Sequence, residues 1–159
     1  MKESKPFAHV DAGGKLRMVD VSKKAPTRRT SHASCVVVTP LDLTGRMFEG
    51  FDPIHASRVA GILAAKQTAT LIPLCHPLSI SDVQVDVVPV SNGLEIHAKI
   101  VTVDQTGVEM EALVACAMTA LSVVSSLLGE DPSAHVEDLV LLKKSGGKSG
   151  DWGRLVPPA

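Results

Sequence analysis

Three segments of the sequence carry side chains whose types and spacing could do chemistry. The first is Leu71-Ile72-Pro73-Leu74-Cys75-His76-Pro77-Leu78. Its two prolines fix backbone dihedrals on either side of a Cys-His pair and exclude a regular element there. An imidazole on such a rigid loop suits ligand binding or proton transfer; the plainer alternative is a histidine packed into a turn. The second is Gly107-Val108-Glu109-Met110-Glu111, two carboxylates at the start of a helix. Glu109 can serve as the capping-box partner of Thr106, and Glu111 is an acid favoured by the helix dipole. The same helix end can also offer free N–H groups to a bound anion. The third is Lys143-Lys144-Ser145-Gly146-Gly147-Lys148-Ser149-Gly150, three lysines amid glycines. Their ammonium groups and exposed amides can wrap phosphate oxygens, or the segment is a solvated tail. It is not a P-loop, because Leu142 stands where the leading glycine of that motif belongs. Lys66 can join this basic group or simply sit well at a helix C-terminus. Arg28-Arg29 can be phosphate forks or charges protecting a sheet edge. Together the segments suggest an anionic ligand handled with acid–base groups.

Bulk composition narrows the class of function. A length of 159 residues fits one domain, and 45% hydrophobic against 21% charged residues can build a real core. The formal net charge of -1 gives no global attraction to nucleic acid or anionic membrane, so an anion site must be a local cluster. Three Phe, one Trp and no Tyr are too few for a base-stacking platform, which disfavours an RNA-binding domain. No apolar run reaches the roughly 20 residues of a membrane span, and Met1-Lys2-Glu3-Ser4-Lys5 is not followed by an apolar signal region. Cys35, Cys75 and Cys116 are scattered and odd in number, as in a reduced cytoplasmic protein, and no zinc pattern is evident.

These groups must be positioned by regular elements. A β-branched run ending in Cys35-Val36-Val37-Val38 predicts a strand within 28–40. A loop with Gly45 and Gly50 follows. Asp52-Pro53 then predicts a helix start, with the helix running to about Thr68 and Ile54, Val59, Ile62 and Leu63 on one face. Val83, Val85 and Val87 alternate with polar residues, Asn92-Gly93 marks a hairpin, and Leu94, Ile96, Ala98 and Ile100 form its second strand. A helix from Thr106 to about Leu128 is apolar almost all round, which predicts that a subunit interface covers it. Residues 136–143 read as a last strand and 144–159 as a Gly/Pro/Ser tail. Strand, helix, strand, strand, helix, strand is the order of an α+β, ferredoxin-like split βαβ fold, an antiparallel sheet with helices on one face. Residues 1–16 read as an arm, 17–152 as a single domain and 153–159 as the end of the tail.

Several blocks resemble the cyclic pyranopterin monophosphate synthase family of molybdenum cofactor biosynthesis. They are Met18-Val19-Asp20-Val21-Ser22, Ala60-Gly61-Ile62 through Lys66, Leu71–Leu78, Gly107–Leu113, and Lys144 through Gly150, in that order along nearly the whole chain. The resemblance implies a lyase that converts 3′,8-cyclo-7,8-dihydro-GTP to cyclic pyranopterin monophosphate and releases pyrophosphate. It implies a hexamer built as a trimer of dimers, with the active site between subunits and no cofactor. Carried over by position, Leu74, Cys75, His76, Met110 and Glu111 contact the substrate, a purine-derived triphosphate. Glu109 is a polar group beside it, and Arg29, Lys66, Lys144 and Lys148 surround its phosphates. Lys66, His76, Glu109 and Lys144 are the candidates for catalysis. The sequence departs from the family at three places. Ser125 stands at the position of the family's catalytic acid, Leu128 replaces a lysine three residues later on the same helix face, and Glu49-Gly50 lie where the family has a loop lysine. Two readings follow: a synthase working with the remaining groups, or a relative that binds a similar nucleotide or pterin, or serves as a structural subunit, with the activity lost or changed.

Overall fold

The structure is a computed structural model that describes residues 8–11, 13–43 and 53–155. Gly45, Glu49, Gly50 and Asp52 lie outside those residues. In chain order the elements are β1 (Thr27–Val38), α1 (Pro53–Lys66), α2 (Thr68–Leu71), β2 (Ile80–Val90), β3 (Gly93–Asp104), α3 (Glu109–Leu127), β4 (His135–Ser145) and β5 (Trp152–Gly153). The strands form one antiparallel sheet in the order β2-β3-β1-β4-β5. The α+β architecture expected from the sequence is therefore present, with β5 added at the edge.

The side-chain period of two decides which face the helices cover. Register places Val87, Ile96 and Cys35 in one row across three strands, and Val85, Ala98 and Ala33 in the next. All six are buried, and they form the floor of the core. Glu95 and Lys99 alternate onto the opposite face. The hairpin loop between β2 and β3 is Ser91-Asn92, and Gly93 is already paired with Val90. Glycine is needed at 93 because φ is 144° and a Cβ there would strike the Val37 carbonyl.

Two expectations about the helices change. α1 turns Ser57, Gly61, Ala64 and Ala65 inward, while Val59 and Leu63 are more than half exposed. The reason is a close crossing with α3. A Cβ on Gly61 would collide with the Thr119 hydroxyl and lie 2.8 Å from the Ala115 carbonyl. The inner face of α1 is therefore made of small residues. α1 also stops at Lys66, and α2 is a separate single turn. α3 is long and apolar enough to cross a membrane by length and composition, but half of it is buried. Ala112, Ala115, Cys116, Thr119, Ala120 and Val123 are its covered side, and Met118, Leu121 and Leu128 remain exposed. Arg28 and Arg29 do not guard a sheet edge, since β1 lies between β3 and β4. The start of the supposed tail is strand as well: Lys144 pairs with Ser31 on one side and Trp152 on the other.

The crossing at Gly61 predicts a stability effect. Gly61→Ala should cost about 1–3 kcal/mol by overpacking, read as a lower midpoint in urea denaturation. An unchanged midpoint would mean that the helices do not approach so closely.

Candidate functional site

The site is built around the first turn of α3. Val108, fully buried, is the residue at the helix cap, and no side chain caps the first amides. The Thr106–Glu109 capping box read from the sequence does not form. Burial of Val108 starts the helix at Glu109, one position from the cap, so the Glu109 carboxylate is not at the third position a box requires. It folds over Gly107 instead, where any Cβ would meet it. There Lys144 Nζ donates a hydrogen bond to Glu109 Oε1 at 2.8 Å. Lys144 reaches that side because its register partner Ser31 lies on the helix-covered face. A register shift between His32 and Ala33 re-aims this end of β4.

A cleft of about 220 Å³ opens beside this pair, lined among others by His9, Leu74, Cys75, His76, Glu109 and Glu111. A smaller hollow of about 150 Å³ adjoins it, and Lys66, His76 and Glu111 are among its walls. His76 and Glu111 face both. Six of the residues picked from the sequence therefore line the cleft, Met110 included, and Lys66 lines the hollow behind it. Leu74, in the middle of the proline-flanked loop, has φ 65°. A leucine in the left-handed region costs about 1–2 kcal/mol, and strain of this kind gathers at binding loops. Ser79 at the end of the loop donates its N–H to Asp104 at 3.2 Å, tying the His76 segment to the end of β3.

Electrostatics separates the two glutamates. Glu109, half-exposed, has the Lys144 ammonium beside it. Glu111 is only 4% exposed. Burial, with the neighbouring charge of Glu109, pushes its carboxyl up to about 7. Burial and Glu111 also push the Cys75 thiol up. Glu109 is thus paired with a cation, while Glu111 changes protonation near neutrality.

The remaining sequence candidates fall in different places. Arg29 spends two donors on backbone carbonyls, Nε on Asp104 at 3.1 Å and Nη2 on Gln105 at 3.1 Å. Lys148 is exposed in the glycine turn after β4. Ser125 and Leu128 are exposed at the far end of α3. Sixteen residues separate Ser125 from Glu109, roughly 24 Å at the α-helical rise, so within one chain Ser125 cannot join this cleft. His9 was not legible as a site residue, because a lone histidine in a polar arm carries no periodic signal. A hydrogen bond from Arg17 N–H to the His9 carbonyl folds the arm back, placing His9 at the cleft. Among the described residues, no three His, Cys, Asp or Glu side chains cluster to hold a metal ion.

Residues 18–147 match the MoaC family. The chain is 50% identical over 155 residues to a cyclic pyranopterin monophosphate synthase of a Nocardioides species, covering 93% of this chain and 95% of that protein. It is 46% identical over 152 residues to the enzyme of the same name in Streptomyces avermitilis, covering 93% and 89%. It is 41% identical over 153 residues to cyclic pyranopterin monophosphate synthase 2 of Mycobacterium bovis, covering 93% and 91%.

The buried acid has a thermodynamic signature. The Glu111 carboxyl ordinarily titrates near 4.5 and in the fold at about 7. Below pH 4.5 it is protonated in both states and costs nothing. Between 4.5 and 7 the unfolded chain releases the proton first, so stability falls as pH rises. Above 7 the full cost, about 3 kcal/mol, is present. Glu111→Gln should therefore be more stable than the parent at pH 8, and the gap should close toward pH 4.5 in urea denaturation. A gap that does not vary with pH would rule out a carboxylate titrating in this way.

Proposed function

The chain belongs to the MoaC family, and from that premise we propose that it is a cyclic pyranopterin monophosphate synthase of molybdenum cofactor biosynthesis. Its substrate is the purine-derived triphosphate 3′,8-cyclo-7,8-dihydro-GTP, and it acts as a pyrophosphate-releasing lyase. The observation that carries this reading is one cleft walled by His76, Glu109 and buried Glu111, with Lys144 hydrogen-bonded to Glu109 at its edge. Opening the purine ring requires protons to be moved, and closing the cyclic phosphate requires a ribose hydroxyl to lose one as its oxygen bonds to phosphorus. His76 and Glu111 are the groups suited to those transfers, Glu111 because its protonation changes near neutral pH. The departing pyrophosphate gains negative charge, and Lys66, Lys144 and Lys148 are the cations to receive it. The protein works as a cytoplasmic homo-oligomer, a hexamer of three dimers. Support for assembly comes from the apolar residues left uncovered on the two helices, Val59, Leu63, Met118, Leu121 and Leu128.

A second reading is favoured by one observation. The far end of α3 carries Ser125 and exposed Leu128 in place of the family's acid and lysine. In that reading the chain binds the triphosphate but turns it over slowly or not at all.

Purified protein incubated with 3′,8-cyclo-7,8-dihydro-GTP should release pyrophosphate and the pyranopterin product in equal amounts. His76→Ala or Lys144→Ala should lower kcat about 10²-fold or more. Binding without product would overturn the first reading in favour of the second. In that case Ser125→Asp combined with Leu128→Lys should restore turnover, and failure to do so would clear those two positions of responsibility.

A further inference from the structure

We infer that Arg29 is a positioning residue for this reaction: its guanidinium staples the glycine turn after Lys144 to the segment leading into Glu109. The inference rests on the function proposed above. The two carbonyls that Arg29 engages belong to Asp104, the last residue of β3, and Gln105, which follows it in the short segment leading to α3 at Glu109. On its other side the guanidinium meets Gly147. A Cβ on Gly147 would lie 2.7 Å from Arg29 Cζ, and φ there is 74°. Gly146, with φ 86°, presses on the Arg28 carbonyl in the same way. The turn can lie against Arg29 only because both residues lack side chains.

Three site segments converge on this contact. Gly147 follows Lys144 by three residues and precedes Lys148 by one. Asp104 leads to Glu109, and its carboxylate also accepts the Ser79 N–H at the end of the His76 loop. A planar fork that satisfies two successive carbonyls while offering a flat face to backbone is specific to arginine; a lysine ammonium offers one point charge on a flexible stem. Two donors committed to carbonyls distinguish Arg29 from Lys66 and Lys148, for which it was grouped as a phosphate ligand by position.

The test uses the full chain with Arg29→Lys and, on the other side of the contact, Gly147→Ala. In both variants hydrogen–deuterium exchange should quicken in residues 104–109 and 144–150 while the buried pairs of β1 with β3 stay protected. Displacement of oriented groups should lower kcat about 10-fold to 100-fold, with KM changed by less than about threefold. The double variant should be no worse than the poorer single one, since both break one contact. A tenfold or greater rise in KM for Arg29→Lys with unchanged exchange would make Arg29 a phosphate ligand and overturn the inference. Parental exchange and kcat in Gly147→Ala would overturn it too. If the parent shows no turnover, the proposed function fails and exchange alone decides: faster exchange in Arg29→Lys upholds the staple, and unchanged exchange removes it.

Discussion

Helix α3 lies in a trough whose floor is the buried face of β1, β3 and β4 and whose wall is α1. It fits because the residues at the contacts are small. Ala112, Ala115, Cys116, Thr119 and Ala120 face the trough, and Gly61 lets α1 come within reach of the Ala115 carbonyl. Close packing of this kind leaves little room for a helix to slide or rotate. The seat of α3 fixes where its first turn projects, and with it Glu109, Met110 and Glu111. The cleft depends on a packing constraint made well away from it.

Given that seat, the chemistry of the two glutamates follows from two residues' worth of rotation. Glu109 leaves the helix on the side where β4 delivers Lys144, and it is paired there. Glu111 points to the covered side and is desolvated. Two neighbouring carboxyls thus stand in different surroundings, one beside an ammonium group and one out of water. The cost of burying Glu111, like the strain at Leu74, is carried by the packing of the rest of the domain.

Much of this was legible in the sequence because it depends on local patterns. Alternation of Val83, Val85 and Val87 with polar residues identified β2, and the prolines around His76 marked its loop as irregular and rigid. The fold class followed from the order of those elements. What was not legible depends on contacts between distant segments. Val59 and Leu63 looked like the inner face of α1, but a face of Ser57, Gly61, Ala64 and Ala65 packs more closely against α3. Thr106 and Glu109 have capping-box spacing, yet the burial of Val108 and the approach of Lys144 from β4 override it. Gly146 and Gly147 read as a flexible tail until the structure put Arg28 and Arg29 against them. His9 gave no signal, because only the return of the arm brings it to the cleft.

The length of α3 has an evolutionary consequence. Its first turn holds the cleft acids and its last turn holds Ser125 and Leu128, about four helical turns away. Within one chain, substitutions so far apart add nearly independently in their effect on its stability. A lineage can therefore rewrite the exposed distal end of this helix, exchanging charge for hydroxyl or alkyl, without unseating the proximal acids. Selection can act on the two ends as separate traits carried on one rod, so that the seat of the first turn persists while the distal surface drifts.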